Sequence, residues 1–95
     1  MRKYELTFII HPEVEEKEVE SVVEKVRKII GDDGGKVTDV NHWGRRRLAY
    51  PIKKQLEGYY VVMQVELKPS AINELERKLS LTEEVIRHLL VRTEG

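Results

Sequence analysis

KVTDVNHWGRRRLAYPI, residues 36–52, is the stretch on which the fold turns. It carries no helical period and reads as one extended segment, unusually long for a single strand. Val37 and Val40 break the alternation of two and Gly44 follows, which predicts a bulge or bend between two strand halves. Beyond the bend Leu48, Tyr50 and Ile52 alternate again, so shared phase assigns Tyr50 to the core, with Trp43 packed beside the bend. Pro51 inside the run predicts an edge strand, because proline has no donor for a ladder hydrogen bond. Gln55 to Gly58 then reads as a turn. Tyr59 to Leu67 reads as the next strand, with Tyr59, Val61, Met63, Val65 and Leu67 on one face and Tyr60, Val62, Gln64 and Glu66 on the other. Two strands in succession therefore occupy the middle of the chain.

Outward from this pair, each flank supplies one helix and one further strand. Residues 3–10 place Tyr4, Leu6, Phe8 and Ile10 on one face of a strand ended by His11 and Pro12. From Glu13 to Ile30, the residues Val19, Val22, Val23, Val26, Ile29 and Ile30 recur at spacings of three and four, the stripe of an amphipathic helix. Its acids crowd the start and Lys25, Arg27 and Lys28 the end, an order that complements the helix dipole. Gly31, Gly34 and Gly35 stop it. Pro69 and Ser70 open a shorter helix with Ile72, Leu75 and Leu79 as its buried stripe, and Val85 to Thr93 forms the last strand. The order strand, helix, strand, strand, helix, strand has no repeat or linker and predicts one α+β domain over residues 1–95. It is the βαββαβ pattern of a ferredoxin-like fold: a four-stranded antiparallel sheet with two helices on one face. The helix-free face is then expected to expose Ile9, Tyr60, Val62, Leu89 and Val91, too apolar a set for plain solvent.

Ninety-five residues leave little room for both a core and an enclosed catalytic cavity, which favours a surface function. The absence of cysteine excludes disulfides, thiolate metal sites and a cysteine nucleophile. The first apolar stretch, Leu6 to Ile10, is too short for a signal peptide or membrane span, so cytoplasmic residence with no membrane partner is the expectation. His11, His42 and His88 lack metal-ligand spacing, Gly34-Gly35 lacks the lysine and hydroxyl of a phosphate loop, and no serine has a nucleophile-elbow context. Glu15-Glu16 and Glu83-Glu84 read as solvated surface pairs. No enzyme, cofactor, metal or small-molecule substrate is expected.

The formal net charge is zero, yet it is unevenly spread. Residues 1–44 hold seven Lys/Arg against ten Asp/Glu, whereas residues 45–95 hold ten against seven. Arg45, Arg46, Arg47, Lys53 and Lys54 lie within ten residues free of acids. Arginine forks bind phosphate through paired charge-assisted hydrogen bonds and lysines add point charges, so this cluster fits RNA contact. It equally fits a charged guard on an exposed strand edge, and the two roles are compatible. In a regular strand Arg46 and Arg47 point to opposite faces. Arg2, Lys3, Arg87 and Arg92 are expected to extend the basic surface, since the central strands bring the two chain ends together. Tyr60 is the candidate for stacking on a base or partner side chain.

The run Gly44-Arg45-Arg46-Arg47-Leu48-Ala49-Tyr50-Pro51-Ile52-Lys53 resembles the signature of the family of the sixth protein of the bacterial small ribosomal subunit. The opening Met1-Arg2-Lys3-Tyr4-Glu5 and the strand start Gly58-Tyr59-Tyr60 are similar to it as well. The likeness covers residues 1–93. It implies a structural, non-enzymatic protein that binds the central domain of small-subunit ribosomal RNA cooperatively, as a heterodimer with the eighteenth small-subunit protein. Read from residue chemistry beside that resemblance, the candidate RNA-binding set is Arg2, Lys3, Arg45, Arg46, Arg47, Lys53, Lys54, Arg87 and Arg92, and the candidate protein-partner set is Trp43, Tyr60, Val62, Leu89 and Val91. The alternative is a single-stranded RNA-recognition module on the same fold. Glu57 to Gln64 matches that module's strand-three motif only in part: its first residue is acidic, and its fifth and eighth are not aromatic. An acylphosphatase-like enzyme would need a loop and an arginine and asparagine arrangement that this sequence lacks.

Overall fold

The period-two segments pair as a sheet. In a computed structural model describing residues 1–93, strands β1 (Arg2–Ile10), β2 (Lys36–Ile52), β3 (Gln55–Leu67) and β4 (Val85–Arg92) alternate with helices α1 (Glu16–Asp32) and α2 (Ile72–Ser80). The last two positions of the domain expected over 1–95 lie outside the described residues. The sheet runs β2-β3-β1-β4 with every neighbouring pair antiparallel, and α1 and α2 pack on one of its faces, the ferredoxin-like arrangement. Neither helix is long and apolar enough to cross a membrane.

The main core joins Tyr4, Leu6, Phe8 and Ile10 of β1 and Val61, Met63, Val65 and Leu67 of β3 to the helical stripes. Helix α1 contributes Val19, Val22, Val23, Val26 and Ile30, and α2 contributes Leu75 and Leu79. Phe8 is fully buried, and burial of such side chains is the main stabilising term. Helix α1 passes Gly31 and runs to Asp32, and Gly34 beyond it, with a left-handed backbone (φ 80°), closes it. The Gly34 N–H donates to the Gly31 carbonyl at 3.0 Å and the Gly35 N–H to the Ile30 carbonyl at 2.9 Å, a Schellman cap. The helix thus runs past Lys25, Arg27 and Lys28, and its last turn holds no base.

Strand β2 departs from regular pairing three times. The first shift, between Val37 and Asp39, explains the spacing of three: Thr38 is the extra residue, so Val37 and Val40 both reach the main core. The second falls between His42 and Gly44, where Gly44 has φ 84° and Trp43 is the extra residue. The third lies beyond the sheet proper. Arg47 pairs with Glu57 and Ile52 with Gln55, so the four residues Leu48 to Pro51 oppose Leu56 alone. Pro51 sits in this excursion of the edge strand, where its missing N–H breaks no register pair.

The turn lies elsewhere than the sequence predicts. Ile52 pairs with Gln55, so the loop is Lys53-Lys54 alone, and Gln55 to Gly58 belong to β3. Both lysines have positive φ, 48° and 68°, the pattern of a two-residue hairpin matched to strand twist. Because β1 ends its pairing at Ile10 and Tyr59, the start of β3 and the end of β2 project together as a two-stranded arm.

Candidate nucleic-acid interface

The arm folds its apolar residues back over the helix-free face. Leu48 packs with Ile9 and Ile86 in a second small apolar cluster, with Ile52 and Tyr60 against it. Gly58 permits this approach, since a Cβ there would lie 2.3 Å from Ile9 Cγ2. The face is therefore less open than its composition predicts. Ile9 (5% exposed) is covered by the arm, and Val62 (4%), in a central strand between Thr7 and Asn41, is shielded by its neighbours. Tyr60 is half-buried, while Leu89 (54%) and Val91 (49%) are exposed.

Tyr50 does not enter the core. Carried out of register by the Leu48–Pro51 excursion, it is 56% exposed, and its hydroxyl accepts a hydrogen bond from the Arg87 guanidinium of β4. That guanidinium also lies 5.7 Å from the centre of the Tyr50 ring. Tyr50, Leu48, Ala49 and Ile52 of the arm face Thr7, Ile9, Tyr60 and Leu89 of the sheet across a small apolar groove of about 200 Å³. Trp43 is not packed beside the bend either. It is 53% exposed, belongs to neither apolar cluster, and does not line the groove. As the unpaired residue of a bulge on an edge strand, it has no strand on the outer side of β2 to pack against. The Arg46 guanidinium lies over its ring, 5.3 Å from the centre.

The three arginines have different surroundings. Arg45 donates to Glu57 Oε1 at 2.8 Å and to the Pro12 carbonyl at 3.0 Å, which partly neutralises it and ties the arm to the end of β1. Arg46 pairs with Gly58 and Arg47 with Glu57 in consecutive register positions, so their side chains project to opposite faces. Among the described residues, Arg46 has no carboxylate partner, and no ion pair or side-chain hydrogen bond involves Arg47, Lys53 or Lys54. Glu57, which the sequence assigns to a turn, partners Arg45 because it lies in β3 opposite Arg47.

The wider basic surface is divided. Arg87, opposite Ile9, joins the arm. Arg2 pairs with Leu67, Lys3 with Glu66 and Arg92 with Tyr4, at the far end of β1. The nine residues of β1 span roughly 30 Å, so the chain ends do meet each other but not Arg45–Arg47. His42 Nε2 lies 3.4 Å from Glu20 Oε2, and no group of three candidate metal ligands occurs among the described residues. Tyr60 is the one aromatic that β1 and β3 place on the helix-free face, too few for the two or three stacked bases of an RNA-recognition module.

Comparison with known proteins agrees with this architecture. The family model described as ribosomal protein S6 matches residues 3–92. The small ribosomal subunit protein bS6 of Paenarthrobacter aurescens is 50% identical over 94 residues, covering 99% of this chain and 93% of that protein. That of Carboxydothermus hydrogenoformans is 44% identical over 92 residues, covering 97% and 96%. The crystal structure of 30S ribosomal protein S6 from Thermotoga maritima superposes with a TM-score of 0.89 at 42% identity, covering 97% of this chain and 87% of that one. The bulged edge strand, the basic arm and the ferredoxin-like sheet are thus carried by a chain that belongs to the ribosomal protein S6 family.

Proposed function

We propose that this chain is a structural constituent of the bacterial small ribosomal subunit, acting in the cytoplasm. It binds the central domain of small-subunit ribosomal RNA cooperatively, as a heterodimer with the eighteenth small-subunit protein. The observation that carries the RNA reading is the arm, where Arg46, Arg47, Lys53 and Lys54 project with no carboxylate partner among the described residues. Family membership supports the assembly, and no catalytic group is required. Arg87 belongs to the same basic end, whereas Arg2, Lys3 and Arg92 form a separate basic end for a second RNA contact. The partner meets the exposed Leu89 and Val91 beside the groove and Tyr60. Buried Val62 supports that face from within.

A net charge of zero gives little general attraction to a polyanion, so the chain alone binds weakly and the partner raises the affinity. Titration of a central-domain RNA fragment at fixed salt, with and without the eighteenth protein, tests this. The expected outcome is a clear gain on adding the partner. Tight binding by the chain alone, unaffected by the partner, overturns the cooperative reading. Polar substitution at Leu89 or Val91, which are exposed, weakens heterodimer formation without unfolding the chain. Val62 is unsuitable for that test because it is buried.

A further inference from the structure

We propose that Trp43 is a stacking platform for an unpaired nucleobase of the bound RNA, with Arg46 holding the ring in place and answering the adjoining phosphate. The proposal rests on the RNA-binding reading and names the RNA feature that this end of the arm recognises.

Four observations converge on it. Trp43 is half-exposed although indole is among the largest apolar surfaces a chain can bury. It belongs to neither apolar cluster and does not line the groove, so folding leaves it unused. Its setting is defined: the left-handed Gly44 shapes the bulge, and the Arg46 guanidinium lies over the ring at 5.3 Å. A ring with one face against a cation keeps its other face for a flat partner. The surroundings select the partner's class. Trp43 directly precedes Gly44 and three arginines, of which Arg46 and Arg47 have no carboxylate, and an aromatic beside such cations suits a base joined to phosphates better than an aliphatic side chain. An unpaired base is required, because a base within a duplex has both faces already stacked.

Trp43 is the only tryptophan, so its fluorescence reports on the site alone. The heterodimer is formed with an eighteenth protein lacking tryptophan, its emission is recorded, and the central-domain RNA fragment is then added, with binding followed separately by filter retention. The expected result is quenching that begins only with RNA and is absent with a fully paired duplex of equal length. Trp43→Leu is expected to weaken RNA binding about tenfold and Trp43→Phe to restore most of it. Four outcomes overturn the proposal while leaving the RNA reading intact. These are retention without quenching, a change complete on adding the protein partner alone, equal quenching by the duplex, and Trp43→Leu binding like the unmodified chain. The second of them would make Trp43 a protein contact. No retention of RNA by the unmodified heterodimer overturns both readings together. Circular dichroism of Trp43→Leu checks that the exposed substitution leaves the fold intact.

Discussion

Arg45 and Arg47 stand two residues apart on one face of the arm, and only Arg45 has its charge answered, by Glu57 at 2.8 Å. A phosphate approaching Arg45 must compete with that carboxylate, whereas Arg47 has no competing acid. Arg47→Ala in the heterodimer is therefore expected to lower RNA affinity evenly across sequences and reduce the salt dependence by about one ion. Arg45→Ala should change both less. Binding at several salt concentrations separates them, and a larger effect at Arg45 would mean that RNA displaces Glu57. This distinction was invisible in the sequence, where three consecutive arginines look alike. Tyr50 is the parallel case. Its phase with Leu48 and Ile52 is real, since all three line the groove, but the shared side is the helix-free one, and a tyrosine spanning to Arg87 remains half in solvent.

At the scale of elements, period-two and helical patterns were legible wherever a segment buries one face in the main core. Strand β1, the part of β3 from Tyr59 to Leu67 and both helical stripes follow directly from their apolar spacing. The arm was not legible, because four residues opposing one, and a turn made of two lysines, leave no periodic signal. Hairpins with two left-handed residues favour asparagine and glycine, so Lys53-Lys54 holds charge at a site where backbone sterics disfavour it. Lys54→Gly is expected to raise stability by about 1 kcal/mol, seen as a higher urea midpoint with unchanged slope, while weakening RNA binding by the heterodimer. A loss of stability would show that the lysine side chain supports the hairpin. The candidate site was legible as a cluster in sequence but not as a surface. Only the register reveals that Arg87 joins the arm and that Arg2, Lys3 and Arg92 lie at the other end.

Across the whole molecule, a few ion pairs tie the layers at their rims. The Lys25 ammonium of α1 lies 2.6 Å from Glu84 Oε2, just ahead of β4, and Lys78 of α2 lies 3.3 Å from Asp33 at the end of α1. The hydrogen bond from Lys25, helped by the backbone at Glu84, holds the Glu84 carboxyl below the usual glutamate range against a smaller opposing effect of burial. A lowered folded value means that this stabilisation is complete above the unfolded glutamate pKa and is lost as pH falls through the folded one. Both side chains are partly solvated, so the contribution is small, about 0.5 kcal/mol. Urea unfolding at pH 7 and at pH 3 should show Glu84→Gln destabilised relative to the unmodified chain at the higher pH, with the gap narrowing at the lower. An equal gap at both would assign the loss to packing. The remaining feature of the whole is the inequality between arm and sheet. Leu48 to Pro51 have no register partners, and the arm is fastened to the body by a few apolar side chains, Arg45 and Arg87. Its local opening is therefore expected to cost less than opening the core, with its amides exchanging hydrogen through excursions that leave the sheet closed. Under the proposed RNA-binding role, a rough RNA surface would mould the arm at small cost, because the elastic part of the molecule and the part that keeps it folded are separate.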